Sequence, residues 1–251
     1  MPAPHPPLQS YYAQEGDRRE WVHGIFNRTA EDYDRMEAIV GLRTGPWHRR
    51  QALRRSGLKP GMAVIDVGTG TGLLASAAAA IVGEPALVTG IDPSPGMLEH
   101  ARVPQGVRLL AGSAESMPLG DECADFICMG YALRHISDFA AAFGEFMRVM
   151  RPGARLCILE FTLPSTRVQR VLLKGWLLGV VPRLATLVAH TADAPLLMRY
   201  HWHTIEHCVP PPTILKALRE AGFSDVEREV DLGMFSSYRA CKPAGGLDRH
   251  A

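Results

Sequence analysis

The sequence predicts an α/β fold: a mostly parallel sheet of seven strands with helices on both faces. Three observations predict it. Short apolar runs alternate with helical patterns from Ala63 onward, which is the signature of βαβ units in a layered sheet. The first run ends in a glycine-rich turn, Gly68 to Gly72, that opens a helix. The second run ends in an acidic residue, Asp92, 24 residues beyond Gly68.

The elements follow in order. Asp17 to Arg55 reads as helical and ends at the turn Leu58 to Gly61. Ala63 to Val67 is a buried strand, Leu73 to Val82 an alanine-rich helix, Ala86 to Ile91 a second strand and Gly96 to Ala101 a short helix. Val107 to Ala111 and Ala124 to Met129 are the third and fourth strands. Phe139 to Met150 carries an apolar helical stripe, and Arg151 to Gly153 reads as its proline and glycine stop. Arg155 to Phe161 is the fifth strand. Residues 166–207 then offer helical pattern without a strand. A helix from Pro212 to Ala221 and strands near Asp225 to Val230 and Phe235 to Cys241 complete the chain. The layout is a single Rossmann-like domain at 17–243, with a helical N-terminal cap (17–58) and a helical insert after the fifth strand (166–211). Residues 1–16, with four prolines by Gln9, and 244–251 read as tails, the first of them disordered.

Composition narrows the class. The chain has 251 residues, 47% apolar and 21% charged, enough for one sizeable core. A net charge of +1 gives no electrostatic reason to expect a nucleic acid. Five cysteines, an odd number without C-x-x-C spacing, read as free thiols in a reducing compartment. No secretory signal opens the sequence, so a cytoplasmic location is expected. Val171 to Ala189 is apolar but interrupted by Lys174, Pro182 and Arg183. A helical hairpin broken at Pro182 is expected there rather than a membrane span.

The glycine loop carries the binding chemistry. Glycine permits positive φ and close approach of a ligand to the backbone, and the helix behind offers free N–H groups. The spacing is G-x-G-x-G (Gly68, Gly70, Gly72) rather than the dinucleotide G-x-G-x-x-G. Asp66, inside the strand, is placed to meet an amine. Asp92 is placed to accept from two ribose hydroxyls, and Gly112 to Glu115 to border an adenine. An amine, a carboxylate and a ribose without a pyrophosphate together describe S-adenosylmethionine; a nicotinamide cofactor fits the spacing less well.

With these residues in view the chain resembles class I methyltransferases, and among them the UbiE-like family that C-methylates ubiquinone and menaquinone precursors. The resemblance runs from about Ile25 to Phe223. Phe26 to Asp34 resembles "F-x-x-I-A-x-x-Y-D", Asp92 to Leu98 "D-x-S-x-x-M-L", Tyr131 to His135 "F-G-L-R-N", and Ala221 to Phe223 "A-G-F". Ser94 and Met97 fall within the second of these. Glu145 to Phe161 resembles the family's fifth-strand region. The resemblance implies cofactor contacts from Thr71, Asp92, Ser113, Ala114 and Gly130, and an antiparallel final strand. His135 stands where the pattern has asparagine, Ser113 where it has a charged or amide residue, and Tyr200 to Pro211 matches only loosely.

Methyl transfer needs in-line positioning, which alone supplies about 7–11 kcal/mol, and an electron-rich acceptor. A base near a ring hydroxyl would promote the latter. His135, or one of His201, His203 and His207, is the candidate base, Arg134 the candidate oxyanion stabiliser and Tyr33 a candidate lid residue near the methyl group. His203 and His207 lack a third ligand, so no metal is expected. The expected acceptor is a small hydroxylated aromatic, methylated at a ring carbon of a quinone or quinol precursor. An O- or N-methyltransferase of specialised metabolism and a non-catalytic cofactor-binding protein are the alternatives. The insert at 171–189 suits peripheral membrane contact, or else a homodimer interface.

Overall fold

A computed structural model describes residues 4–41 and 44–245. Seven strands form one sheet in the order β3-β2-β1-β4-β5-β7-β6. They are β1 (Val64–Val67), β2 (Val88–Asp92), β3 (Arg108–Ala111), β4 (Ala124–Gly130), β5 (Met150–Phe161), β6 (Ser224–Asp231) and β7 (Phe235–Cys241). Strands β1 to β5 pair in parallel, and β7 runs antiparallel between β5 and β6. The chain leaves β1 toward β2 on one side and returns to β4 on the other. Ligands in open α/β sheets bind at such a switch point, beyond the carboxyl ends of the strands.

Both faces of the sheet are covered, each by its own core. On one face α6 (Phe139–Val149) and α10 (Pro211–Glu220) bury Phe139, Phe143, Phe146, Ile214 and Leu218 against Ile65, Ile127 and Ile158. On the other, α3 (Gly45–Arg55) and α4 (Leu73–Val82) bury Leu53, Leu74, Ala75 and Ala78 against Val64, Phe126 and Leu159. The alanines of α4 let that helix lie close to the strands.

A third core lies off the sheet and is made by the cap and the insert together. The cap comprises α1 (Glu15–Thr29) and α2 (Tyr33–Val40), the insert α7 (Arg167–Gly175), α8 (Val181–Val188) and α9 (Ala194–His207). Val22, Ile25 and Met36 of the cap pack with Leu173, Leu177, Val181, Leu197, Met198 and Trp202 of the insert. The short α5 (Pro95–Glu99) touches α1.

Three expectations are corrected here. Residues 4–14 are not a free tail: Leu8 and Tyr12 are buried in the cap and insert core, and the Val209 amide donates to the Pro4 carbonyl at 2.7 Å. Two large apolar side chains so close to the start outweigh the disorder that prolines suggest. The tail expected at 244–251 lies, from residue 246 on, outside the described residues.

Second, Pro182 does not break the insert. Residues 167–188 run on as one helical stretch through a π turn at Trp176–Val180. The Val181 amide bonds back to Trp176, and this widened turn shifts the carbonyl that the proline ring would strike. Pro182 then sits in the first turn of α8, where its missing N–H costs little. The chain reverses later, between Val188 and Ala194. Third, the backbone is already extended at Met150. Ala124 pairs with Met150 and Phe126 with Arg155, so the Arg151-Pro-Gly stop is a bulge in β5, with Gly153 at φ +80°. Among the described residues no helix is long and apolar enough to cross a membrane.

Candidate active site

Two cavities open beyond the carboxyl ends of β1, β2 and β4. They enclose about 870 and about 880 Å³ of space, partly open to solvent, each within the range of small-molecule sites. Five residues line both: Tyr33, Gly68, Gly70, Gly130 and Tyr131. The cavities therefore meet at the glycine loop and the end of β4.

The first cavity gathers most of the expected cofactor residues: Gly68, Gly70, Asp92, Ser94, Met97, Ser113, Ala114 and Gly130. Asp92 is buried at the end of β2. Its Oδ2 accepts from the Gly70 amide and its Oδ1 from the Ser94 amide, both at 2.8 Å. Each oxygen keeps a second lone pair for a ligand hydroxyl. Burial pushes this carboxyl up to about 6, against the two amide hydrogen bonds that lower it. The Ser94 hydroxyl caps α5, accepting from the Met97 amide. Asn27 of α1 accepts from the Ser94 hydroxyl at 2.6 Å and the Gly96 amide at 2.9 Å, which clamps the cap over this cavity.

The glycines have separate reasons. A Cβ on Gly68 would lie 2.6 Å from the Ala132 Cβ, whereas one on Gly70 would meet nothing within 4 Å. Gly70 thus leaves open space at the cavity wall with its backbone at φ +55°. Gly72 lines neither cavity; a Cβ there would meet Val103 at 2.2 Å, so its bare backbone admits the loop that follows α5. Thr71 lines the second cavity, and its hydroxyl donates to Asp34 of the cap.

Asp66 departs from its expected role. It is fully buried, lines neither cavity, and accepts from the Thr69 hydroxyl at 2.6 Å and the Cys128 thiol at 3.7 Å. Burial raises its carboxyl to about 7. The alternation of a strand turned this side chain beneath the loop, where it braces the turn rather than meeting an amine.

The donor set fits S-adenosylmethionine nonetheless. Asp92 offers acceptors for ribose hydroxyls, Met97 and Ala114 an apolar border for a base, and Gly68 to Gly70 a backbone open to a small zwitterion.

The second cavity is walled by Met36, Val40, Tyr131, Phe161, Met198 and Phe235, with His48 and His201 among them. His135 lines the first cavity, stacked on Tyr200 at 5.5 Å with its Nδ1 on the Tyr200 hydroxyl at 3.3 Å. His135 and His201 stand 6.0 Å apart between ring centroids, and the Nε2 of each is buried without a partner. Burial holds both imidazoles well below their usual range, with Arg134 pushing the same way. Both are neutral at neutral pH. Tyr33 packs on Phe26 and His201, with burial pushing its hydroxyl up to about 12.

Arg134 is not a free oxyanion donor. It borders the second cavity, but its Nη1 contacts Glu160 at 2.5 Å and the Tyr131 carbonyl at 2.7 Å, and its Nε the Thr204 hydroxyl at 3.1 Å. The Glu160 carboxylate already neutralises it, so it ties the insert to the sheet. His203 and His207 line neither cavity: His203 meets the Tyr11 hydroxyl at 2.7 Å, and His207 meets the His203 carbonyl. No metal-binding group of three or more side chains occurs among the described residues.

Tyr131, Phe26 and His48 were not singled out from sequence. Tyr131 is a non-glycine residue at φ +59°, a conformation that concentrates at functional sites but leaves no mark in sequence.

The ubiE/COQ5 methyltransferase family model matches residues 13–242. The chain is 28% identical over 224 residues to the ubiquinone/menaquinone biosynthesis C-methyltransferase UbiE of Shewanella pealeana, covering 86% of this chain and 88% of that protein. It is 29% identical to the protein of the same name from Shewanella piezotolerans, with the same coverage. In fold it is similar to a SAM-dependent methyltransferase of Thermotoga maritima (TM-score 0.60, 22% identity, 87% of this chain and 98% of that one). It is similar also to a SAM-dependent methyltransferase of Aquifex aeolicus (TM-score 0.57, 22% identity, 82% and 98%).

Proposed function

The chain belongs to the ubiE/COQ5 methyltransferase family and is an S-adenosylmethionine-dependent methyltransferase, and on that premise we propose that its acceptor is a small hydroxylated aromatic, a quinol precursor methylated at a ring carbon. The observation that carries this reading is the meeting of the two cavities on Tyr33, Gly68, Gly70, Gly130 and Tyr131. A cofactor along Asp92 and the glycine loop and an acceptor among Phe161, Phe235 and Tyr131 would then face each other. The names of the Shewanella relatives support carbon as the methylated atom.

When bound, S-adenosylmethionine supplies an electrophilic methyl group on a sulfonium, a good leaving group. The protein's part is to orient the acceptor and exclude water. His201, neutral and with an unsatisfied Nε2, stands in the wall of the acceptor cavity to hydrogen-bond the acceptor's oxygen substituent, and His135, likewise neutral, borders the junction from the cofactor side. An imidazole held this far below its usual range is a poor final home for a proton, so their role is orientation. Tyr33 closes the junction from the cap.

The test uses methyl-labelled S-adenosylmethionine with a prenylated 1,4-naphthohydroquinone, an unprenylated hydroquinone and a panel of phenols and amines. Label on a ring carbon is the expected result. Label only on oxygen or nitrogen would overturn the carbon assignment.

We further propose that α7 rests on an anionic lipid surface, from which a greasy acceptor would enter. Val168, Val171 and Leu172 form an i, i+3, i+4 stripe exposed by 67–69%. Residues 164–192 hold Arg167, Arg170, Lys174 and Arg183 and no acidic residue, with Lys174 turned toward Glu206 of α9 at 3.8 Å and the arginines left to supply the positive charge. Leu232, 74% exposed, lies in a turn whose Gly233 abuts Gln169 of α7. A basic, aliphatic face complements an anionic bilayer. The protein is expected to float with vesicles containing phosphatidylglycerol, and Val171→Glu with Leu172→Glu to abolish this. Flotation unchanged by the double substitution, or a dimer through this face in sedimentation equilibrium without lipid binding, would retire the idea.

A further inference from the structure

We propose that Tyr131, His48 and Asp231 form a proton exit line from the acceptor cavity to solvent, with the Tyr131 hydroxyl taking the proton directly from the acceptor; this rests on the phenolic acceptor proposed above. The three residues come from separate elements: the end of β4, α3 and the end of β6. The Tyr131 hydroxyl meets His48 Nδ1 at 3.2 Å, and the Asp231 carboxylate stands 3.4 Å from His48 Nε2. Tyr131 and His48 both line the second cavity. Asp231 does not, and its side chain is 29% exposed. The line therefore starts at the cavity wall and ends at water.

Several features favour this over plain packing. Tyr131 is held at φ +59°, a strained conformation for a large side chain. Its ring lies 4.9 Å from Phe161, and its hydroxyl is aimed at an imidazole rather than at a backbone group. The His48 tautomer that accepts at Nδ1 carries its proton on Nε2. That atom is buried and makes no full hydrogen bond, although Asp231 is beside it. Such geometry tightens once the imidazole becomes charged. His135 and His201 lack this counter-ion. The motif resemblance places Tyr131 at a phenylalanine position, so the hydroxyl distinguishes this chain from the pattern it otherwise follows.

The step balances. The acceptor's ring carbon bonds the methyl group while the sulfur–methyl bond yields its electron pair to sulfur. The proton on that carbon then leaves it and returns to the oxygen as the dienone rearomatises, so one proton in all departs per methyl group transferred. The acceptor's hydroxyl proton passes to Tyr131 as the Tyr131 proton passes to His48 Nδ1. The imidazolium so formed is stabilised by Asp231, which also pairs with Arg55 at 3.2 Å, and loses its Nε2 proton to water there; exchange of the remaining Nδ1 proton for one at Nε2 resets His48 for the next turnover. The charges that face these groups are Arg49, Arg134, Glu37 and Glu160 around Tyr131, and Asp231, Arg49 and Arg55 around His48. Burial raises the Tyr131 hydroxyl above its ordinary range, and it lowers His48 against the pull of Asp231. Both therefore start neutral, as a relay requires.

The test compares wild type, Tyr131→Phe and Asp231→Asn with labelled S-adenosylmethionine and the prenylated naphthohydroquinone. General acid–base catalysis commonly contributes 10²–10⁴-fold, so Tyr131→Phe is expected to lower kcat by on the order of 100-fold. Binding of S-adenosylhomocysteine should be kept, because the ring still packs on Phe161. Asp231→Asn removes the group that raises His48, so the acidic limb of the kcat profile should move to lower pH. A role in packing alone would not move it. Wild-type transfer with Tyr131→Phe within threefold of it, or an unmoved limb in Asp231→Asn, overturns the relay alone. Tyr131→Phe that loses cofactor binding together with turnover makes the hydroxyl a structural tie and also overturns it. No wild-type transfer to any phenolic probe overturns both the relay and the functional reading.

Discussion

Replacing Glu160 by Ala is expected to cost about 3–5 kcal/mol of folding stability, because it leaves a buried guanidinium without its counter-ion. Arg134 and Glu160 have side chains only 2% and 1% exposed and meet at 2.5 Å. Glu160 also accepts from the Arg134 amide at 3.2 Å and the Phe161 amide at 2.8 Å. Alanine would orphan those donors together with the guanidinium. What remains for Arg134 is neutral, the Tyr131 carbonyl and the Thr204 hydroxyl. The damage reaches further than the sheet, since Thr204 belongs to α9 and Arg18 of α1 donates to the Arg134 carbonyl at 2.9 Å. Cap, insert and sheet are fastened at this one point. Glu160→Gln keeps acceptors in place and should fall between wild type and Ala. Urea unfolding at pH 7 measures both; a loss below about 1 kcal/mol for Ala would show that the guanidinium finds water or another partner.

Asp92→Ala is expected to weaken S-adenosylhomocysteine binding on the order of 100-fold. A hydrogen bond to a charged group contributes about 1.5–3 kcal/mol, and two such bonds to a ribose, partly offset by water, leave roughly 3 kcal/mol. The substitution also frees the Gly70 and Ser94 amides that Asp92 now holds, so the loop loses its shape as well as its acceptor. The pH dependence has a definite sign. Burial raises this carboxyl to about 6, so protonation removes acceptor capacity as pH falls through that value. Wild-type affinity should decline below about pH 6, and Asp92→Ala should lack that decline. For folding the same shift acts in the opposite sense: the contribution of Asp92 is fully present below the ordinary carboxylate range and is lost as pH rises through about 6. Calorimetry with S-adenosylhomocysteine between pH 5 and 8 checks both binding statements, and a Kd within threefold of wild type would contradict the ribose role.

How much of the site was legible follows from where its residues lie. Asp92 could be found because a single strand end and a fixed spacing place it. Gly68 and Gly70 could be found because positive φ and absent Cβ are written in the residue type. Gly72 belongs to the same pattern but serves Val103 instead of a ligand; the spacing cannot tell those uses apart. The direction of Asp66 is not legible because strand alternation says only that it faces one side, while burial and the Thr69 and Cys128 contacts say which. The pairing of Arg134 is not legible because its partner, Glu160, is 26 residues away on β5. His48 and Asp231 are 183 positions apart in sequence, and no local pattern joins them.

What the sequence determined by itself is the set of properties that short segments own. These are the sheet with its alternating helices, the glycine loop that opens α4, the acidic end of β2, and with them the methyl donor. Each depends on periodicity, φ preference or a spacing within one βαβ unit. Tertiary structure alone decided how the cap and insert share a core, that residues 4–14 join it, and which histidines reach a cavity and which do not. It also decided that the loop's own aspartate, Asp66, is a brace. Those outcomes rest on contacts between segments far apart in the chain, where burial and pairing are settled by the packed whole rather than by any one stretch.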